Sequence, residues 1–377
     1  MRFADIIGQD DIKRHLISTV KENRISHAQM FLGREGYGSL PLAIAYAQYI
    51  NCQNRTDADS CGECPSCRQI SKLSFPDLHF AFPVPATGSS KEKAISDTYF
   101  QKWAEFIKQN PYGNYQQWLD FVEAGNSQGS IRVDESNEII RKLTMKTFTA
   151  EYKIMIIWLP EKMNTDASNK LLKLIEEPYP KTLFLLVAEN SENIISTIIS
   201  RTQLVKVPRI TDTDICTGLQ SKGVDAVEAE KISKISEGNF GTALEYCGHT
   251  ADLANNFELF VKLMRTSYAF KAADMVALAE ELGSLGREKQ KALLSYCERM
   301  VRENLIMNRN LGKLTHFTDD EGGFAQKFSR FIHPQNSGII AETLDKAYYH
   351  ISRNASAKIV FLDTIITLAR SLRIPAA

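Results

Sequence analysis

Short apolar runs alternate with stretches of helical period through the first half of the chain. Ala28-Gln29-Met30-Phe31-Leu32, Leu78-His79-Phe80-Ala81-Phe82-Pro83-Val84, Lys153-Ile154-Met155-Ile156-Ile157-Trp158-Leu159 and Thr182-Leu183-Phe184-Leu185-Leu186-Val187-Ala188 read as strands with little polar alternation. Strands apolar on both sides need cover on both faces, which predicts a parallel sheet between helices. The intervening helices are expected over Leu42–Ile50, over Val133–Lys146 with Ile139, Ile140, Leu143 and Met145 apolar, and over Asn164–Glu177, stopped by Pro178. After Pro208 the strand signal ends. Thr211–Cys247 suggests three short amphipathic helices, and from about Ala251 longer ones follow: Asn255–Thr266, Phe270–Leu282, Arg287–Met307, Gly322–Ile332 and Gly338–Leu372, with a break near Asn354.

The junction of the first strand with its helix carries Gly33-Arg34-Glu35-Gly36-Tyr37-Gly38-Ser39-Leu40. Its glycines have the frame of a phosphate-binding loop, G-x-x-x-x-G-K-[ST], in which backbone N–H groups cradle phosphates, the lysine reaches the β- and γ-phosphates and the hydroxyl holds Mg²⁺. Ser39 stands in the lysine position and Leu40 in the hydroxyl position, so the loop lacks its countercharge and its metal anchor. A tight strand-to-helix turn with no ligand is the simpler alternative. In an active ATPase the strand before the 164–177 helix would end in acidic residues; here those positions are Trp158 and Leu159, followed by Pro160. Glu161 is a candidate displaced carboxylate, against its reading as an ordinary helix-start or surface residue.

Composition narrows the class. A chain of 377 residues exceeds one compact core, and equal totals of 45 basic and 45 acidic residues argue against a freestanding nucleic-acid binder. Met1-Arg2-Phe3-Ala4-Asp5 lacks an apolar leader and no apolar run approaches the ~18 residues of a membrane span, so a cytoplasmic location without membrane contact is expected. Four of the seven cysteines, Cys52, Cys61, Cys64 and Cys67, lie close together at C-x8-C-x2-C-x2-C spacing. That spacing suits one tetrahedral, structural Zn²⁺; a redox pair would need only two sulfurs. Cys216, Cys247 and Cys297 are scattered and read as buried apolar residues. Between Pro85 and Gly129 an insertion with polar flanks Ala86–Ser90 and Gly125–Gly129 holds Tyr99, Phe100, Trp103, Phe106, Tyr112, Tyr115, Trp118 and Phe121. These aromatics fit either a surface stacking single-stranded DNA or two helices burying their aromatic faces.

Phe3-Ala4-Asp5-Ile6-Ile7-Gly8-Gln9, Ser26-His27-Ala28, the four-cysteine segment, Asn169-Lys170-Leu171-Leu172-Lys173-Leu174-Ile175-Glu176-Glu177-Pro178 and Ser200-Arg201-Thr202 occur in an order that resembles the delta-prime subunits of bacterial DNA polymerase III clamp loaders, within the AAA+ clamp-loader family. The resemblance covers roughly the first two-thirds. It implies an α/β P-loop AAA+ domain with parallel sheet and zinc module over 1–208, with the zinc segment at 52–67 and the insertion at 86–129. A helical lid over 209–250 and an all-α collar over 251–377 would follow. By the same resemblance the chain would be a non-hydrolysing subunit of the polymerase holoenzyme, assembling with gamma/tau and delta subunits and reaching the sliding clamp and primer-template DNA through the complex. Ser-Arg-Thr corresponds to the family's Ser-Arg-Cys, which implies that Arg201 projects into a neighbouring subunit's ATP site. Gly241, in Gly238-Asn239-Phe240-Gly241-Thr242-Ala243-Leu244, stands where an active ATPase would have arginine. Two other readings are an active gamma/tau-type ATPase using the altered loop (Gly33, Gly36, Gly38, Ser39, Leu40), and a zinc-dependent nucleic-acid-binding module.

Overall fold

Five strands, β1 (Ala28–Leu32), β2 (Leu78–Ala81), β3 (Lys153–Trp158), β4 (Thr182–Ala188) and β5 (Gln203–Lys206), form one sheet in the order β2-β3-β4-β1-β5, every pairing parallel. The computed structural model describes residues 1–85, 94–125, 127–247 and 250–375. The polar flank Ala86–Ser90 and Asn126 of the insertion lie outside them. The chain divides into two units, Met1–Leu244 and Glu245–Ala377.

In the first unit, β3 and β4 are buried along their whole length, so both faces of the sheet need cover. One face carries Phe31, Ile154, Ile156, Leu185 and Val187 against residues that include Leu16, Tyr46 and Trp103. The other carries Met30, Met155, Ile157 and Phe184 against Ile139, Leu143, Leu171 and Ile175. The first-face helices are α1 (Asp10–Lys21), α2 (Ser39–Ile50), α3 (Pro65–Ser71), α4 (Phe100–Gln109) and α5 (Tyr115–Phe121). On the second face lie α6 (Val133–Thr144), α7 (Thr165–Glu176) and α8 (Ser196–Ile199). Three further helices complete the unit: α9 (Asp212–Ser221), α10 (Ala226–Ile235) and α11 (Phe240–Tyr246).

Local chemistry sets these boundaries. The Asn164 side chain accepts from Ala167 N–H at 2.9 Å and so starts α7, while the burial of Ala167, Leu171 and Ile175 follows the helical repeat. β2 stops short of the apolar run that contains it, because Pro83 has no N–H to donate to a ladder. Its carbonyl instead accepts from Trp118 Nε1 at 2.8 Å, and Val84 bridges antiparallel to Ser130. The insertion's aromatics do form two helices whose Trp103, Phe106 and Trp118 are buried, with Phe82 stacked on Trp103 at 4.2 Å.

Among its described residues the regular elements of the second unit are helices, the α-helices being α12 (Thr250–Ala269), α13 (Ala272–Ser284), α14 (Arg287–Asn308), α15 (Asp319–Phe328), α16 (Pro334–Ser352) and α17 (Ala357–Ser371). The pairs α14–α16 and α13–α17 enclose Phe260, Leu293, Met300, Ile340, Leu344, Phe361 and Ile365. The interruption between α16 and α17 falls at Asn354, whose φ of 64° is left-handed and cannot continue a helix.

Candidate functional site

β1 delivers the chain into the Gly33–Gly38 loop and α2 leaves from Ser39, so the strand–loop–helix frame of a phosphate site is present. Gly36 and Gly38 have φ of 71° and 92°, and a Cβ at Gly36 would lie 1.6 Å from Asn239 Oδ1. Only glycine meets both demands. The two substituted positions turn inward: Ser39 Oγ is buried without a hydrogen-bond partner among the described residues, and Leu40 joins the apolar cluster of the first face. The space enclosed by Gly33–Gly36, Gly38–Pro41, Pro111–Gly113, Trp158, Val187 and Glu189 is about 20 Å³. Pockets that take ligands larger than an ion run to about 300–1,000 Å³. In this conformation the loop has no room for a nucleoside triphosphate, and Ser39 offers no charge in the lysine position.

Three carboxylates stand near the same loop. Glu161 is half-buried in the short helical turn after β3, and its Oε1 accepts from Glu189 N–H at 2.8 Å and Asn190 N–H at 3.2 Å. It therefore ties the turn after β3 to the end of β4. Burial raises the pKa of Glu35 and of Glu161. Glu189 is pushed up to about 8, by burial first and then by the neighbouring Glu35 and Glu161 charges.

Arg201 does not line the loop space. It follows α8, where its Nη1 donates to Thr197 O at 3.1 Å and its Nε lies 3.0 Å from Glu176 Oε2. Glu176 closes α7, so the Leu-Leu-Lys…Glu-Glu-Pro and Ser-Arg-Thr segments meet through this ion pair, with a third of the Arg201 side chain and half of the Glu176 side chain exposed. The guanidinium is held at one end yet accessible.

The sulfurs of Cys52, Cys61, Cys64 and Cys67 all lie within 4.8 Å of one another. Cys52 Sγ is 3.6 Å and Cys67 Sγ 3.9 Å from Cys61 Sγ. Tetrahedral bonds of about 2.3 Å to Zn²⁺ would separate sulfurs by about 3.8 Å, so the donor set fits a metal ion of that size. Backbone N–H groups of Cys61 and Cys64 point at Cys52 Sγ and Cys61 Sγ, each at 3.3 Å. Those of Cys64 and Glu63 lower the Cys61 thiol to about 6, whereas burial raises Cys67. α3 begins here because the Cys64 Sγ caps it, accepting from Cys67 N–H, and Pro65 fills its first turn. The loop also reaches the N-terminus: Asp59 accepts from Phe3 N–H at 3.1 Å and Ala4 N–H at 2.9 Å, and Ser60 accepts from Gln48 Nε2 at 2.9 Å.

Two residues beside the loop escape a reading of sequence. Tyr112 belongs to an insertion whose aromatic spacing points only to core; its sole local signal is the Pro111-Tyr112-Gly113 turn between two helices. Glu189 directly follows an apolar strand, and nothing in its neighbours along the chain marks it as half-buried near two other acids.

The family model described as DNA polymerase III, delta subunit matches residues 8–211. The tau subunit of DNA polymerase III from Bacillus subtilis (strain 168) is 28% identical over 229 residues, 61% of this chain and 33% of that protein. The delta-prime subunit from the same organism is 27% identical over 195 residues, 52% of this chain and 46% of its own length. The chain thus spans less than half the length of either relative. A gamma subunit-related protein of Thermotoga maritima superposes with a TM-score of 0.39 at 13% identity, covering 97% of this chain and 100% of that one.

Proposed function

Because the chain belongs to the DNA polymerase III, delta subunit family, we propose that it serves as a delta-prime-type subunit of a clamp loader, a scaffold that does not hydrolyse ATP. The observation that supports this most is the closed phosphate loop: about 20 Å³ of space, with Ser39 and Leu40 where lysine and hydroxyl would act. The loss of Walker B carboxylates at Trp158 and Leu159, and of the arginine at Gly241, points the same way. In this reading the 209–250 helices are the lid, 251–377 is the collar that joins gamma/tau and delta subunits, and Cys52, Cys61, Cys64 and Cys67 hold one structural Zn²⁺. The clamp and primer-template DNA are met through the complex.

Arg201 supplies an arginine finger in trans in this proposal. A guanidinium is always charged and forked, and it stabilises charge developing on a γ-phosphate; in GTPases such fingers contribute about 10³–10⁵ in rate. Its accessibility outside the chain's own loop, with Glu176 holding one edge, suits action on a neighbour. The test is reconstitution with gamma/tau and delta subunits. Arg201→Ala is expected to leave assembly and metal content intact while lowering DNA- and clamp-stimulated ATP hydrolysis, with poor rescue by Arg201→Lys. Hydrolysis and clamp loading at the unmutated rate would overturn the finger.

The tau-type relatives favour a second reading, an active gamma/tau-like ATPase. Calorimetry of the isolated chain with Mg²⁺–ATP separates the two. The scaffold reading expects no binding in the micromolar range, whereas micromolar binding with turnover would return the ATPase to first place.

A further inference from the structure

Tyr112 joins three places that are far apart in sequence. Its hydroxyl accepts from Ile7 N–H at 2.9 Å, its ring meets Phe240 edge-on at 5.0 Å, and its Cε1 lies 3.2 Å from where a Cβ on Gly38 would stand. On the far side its carbonyl oxygen lies 2.7 Å from the Cβ position of Gly241, so any side chain there would strike it. The residue is almost fully buried, and burial pushes its phenol up to about 12, which keeps it neutral. Beside it, Phe240 N–H donates to Gly36 O at 3.0 Å, fastening the start of α11 to the loop. Gly38 and Gly241 are thus two positions at which a side chain would press on this tyrosine.

We propose that the Pro111–Gly113 turn of the insertion is a built-in occupant of the phosphate-loop site, in which Tyr112 takes the place of a nucleotide and clamps α11 and the Ile7 segment onto the loop. A bound nucleotide makes the attachment of such helices depend on ligand; a tyrosine in the same chain makes it permanent. The insertion therefore fixes the geometry of residues 209–244 on the sheet with no ligand cycle. The inference does not rest on the clamp-loader reading, since no partner enters it.

Hydrogen–deuterium exchange of the full chain tests it, with circular dichroism confirming that each variant is folded. Tyr112→Ala should speed exchange about tenfold or more in peptides covering Phe3–Gln9 and Asn239–Leu244, leaving β3 and β4 at the wild-type rate. Tyr112→Phe keeps the wedge and loses one hydrogen bond, so only the Ile7 amide should accelerate, about fivefold. Gly241→Ala leaves the tyrosine in place but pushes on its carbonyl, and should also release the Ile7 amide. If Tyr112→Ala fails to fold, the other two variants decide. Unchanged exchange at Ile7 and α11, or equal acceleration across β3 and β4, would overturn the clamp.

Discussion

Asp77 is 2% exposed, yet it carries a carboxylate, and the turn after α6 explains how. Its oxygens accept from Phe148 N–H at 2.8 and 3.0 Å, Thr149 N–H at 2.9 Å and Ala150 N–H at 3.0 Å. Lys153 Nζ holds the other end of the turn through Leu143 O at 3.1 Å and through Met145 O. Removing the carboxylate would leave three backbone donors without their acceptor, so Asp77→Ala should cost about 2–4 kcal/mol in urea unfolding. A change within ~0.5 kcal/mol, the range of ordinary surface substitutions, would show that water replaces it. Glu189 makes the opposite case. Its folded pKa of about 8 exceeds the ordinary 4.5, so the folded chain binds the proton more tightly than the unfolded one. Its contribution is complete below pH 4.5 and is lost as the pH rises through about 8. Glu135, raised to about 7 by burial despite the Ser96 N–H that points at it, acts with the same sign. The melting temperature should therefore fall between pH 5 and pH 8, and Glu189→Gln should flatten that fall; an identical pH profile in the variant would exclude Glu189 as its source. Neither effect is written in sequence, because both depend on which polar groups the fold places around a carboxylate.

Among the elements, the four-cysteine loop couples chemistry to architecture most directly, because α2, α3 and the N-terminal Phe3–Asp5 turn all meet it. If one Zn²⁺ binds there, its removal leaves four thiols crowded in a segment with few other apolar contacts. A metal-stripped chain, or Cys64→Ser, should lose protection from proteolysis over residues 51–71 and at the N-terminus while the sheet persists. Elemental analysis should give one zinc per chain, and a purified, reduced protein without stoichiometric metal would sink the assignment. This loop was legible in sequence because metal chemistry demands a spacing, and β1, β3 and β4 were legible because burial on both faces demands continuous apolar runs. β5 was not: its Gln203-Leu204-Val205-Lys206 has only Val205 buried, as befits an edge strand, and so shows no apolar run. α12 starts at Thr250, ahead of the expected Asn255, because the sequence over 250–254 carries no strong period, and α15 begins at Asp319 because Thr318 and Glu321 form a capping box ahead of Gly322. At the loop, the missing lysine and hydroxyl could be read directly; what fills the site could not, because Tyr112 lies in a turn whose contacts span more than a hundred residues.

At the scale of the whole molecule, the division at Leu244 and Glu245 implies that two cores are built from separate stretches of chain. The second has what an independent fold requires: six helices around Phe260, Leu293, Met300, Leu344, Phe361 and Leu368, each 0% exposed. Its described residues also hold a buried ion pair with several further partners. Arg299 pairs with Glu321, whose carboxylate accepts from Tyr296 Oη at 2.5 Å and from Thr318 N–H at 2.9 Å, while Arg299 Nη1 donates to His316 O at 3.2 Å. All of these lie within residues 245–377, a length in the ordinary range of about 50–250 residues for a domain. The fragment 245–377 is therefore expected to fold alone, with helical circular dichroism and a single cooperative melting transition. Within it, Arg299→Ala leaves Glu321 and Tyr296 buried without their cation and should cost about 3–5 kcal/mol, enough to bring a domain of this size near unfolding. Glu321→Gln should cost less, because the amide oxygen can still accept from Tyr296 and Thr318. A fragment that is helical but melts without cooperativity would show that the second core is completed only by the rest of the chain.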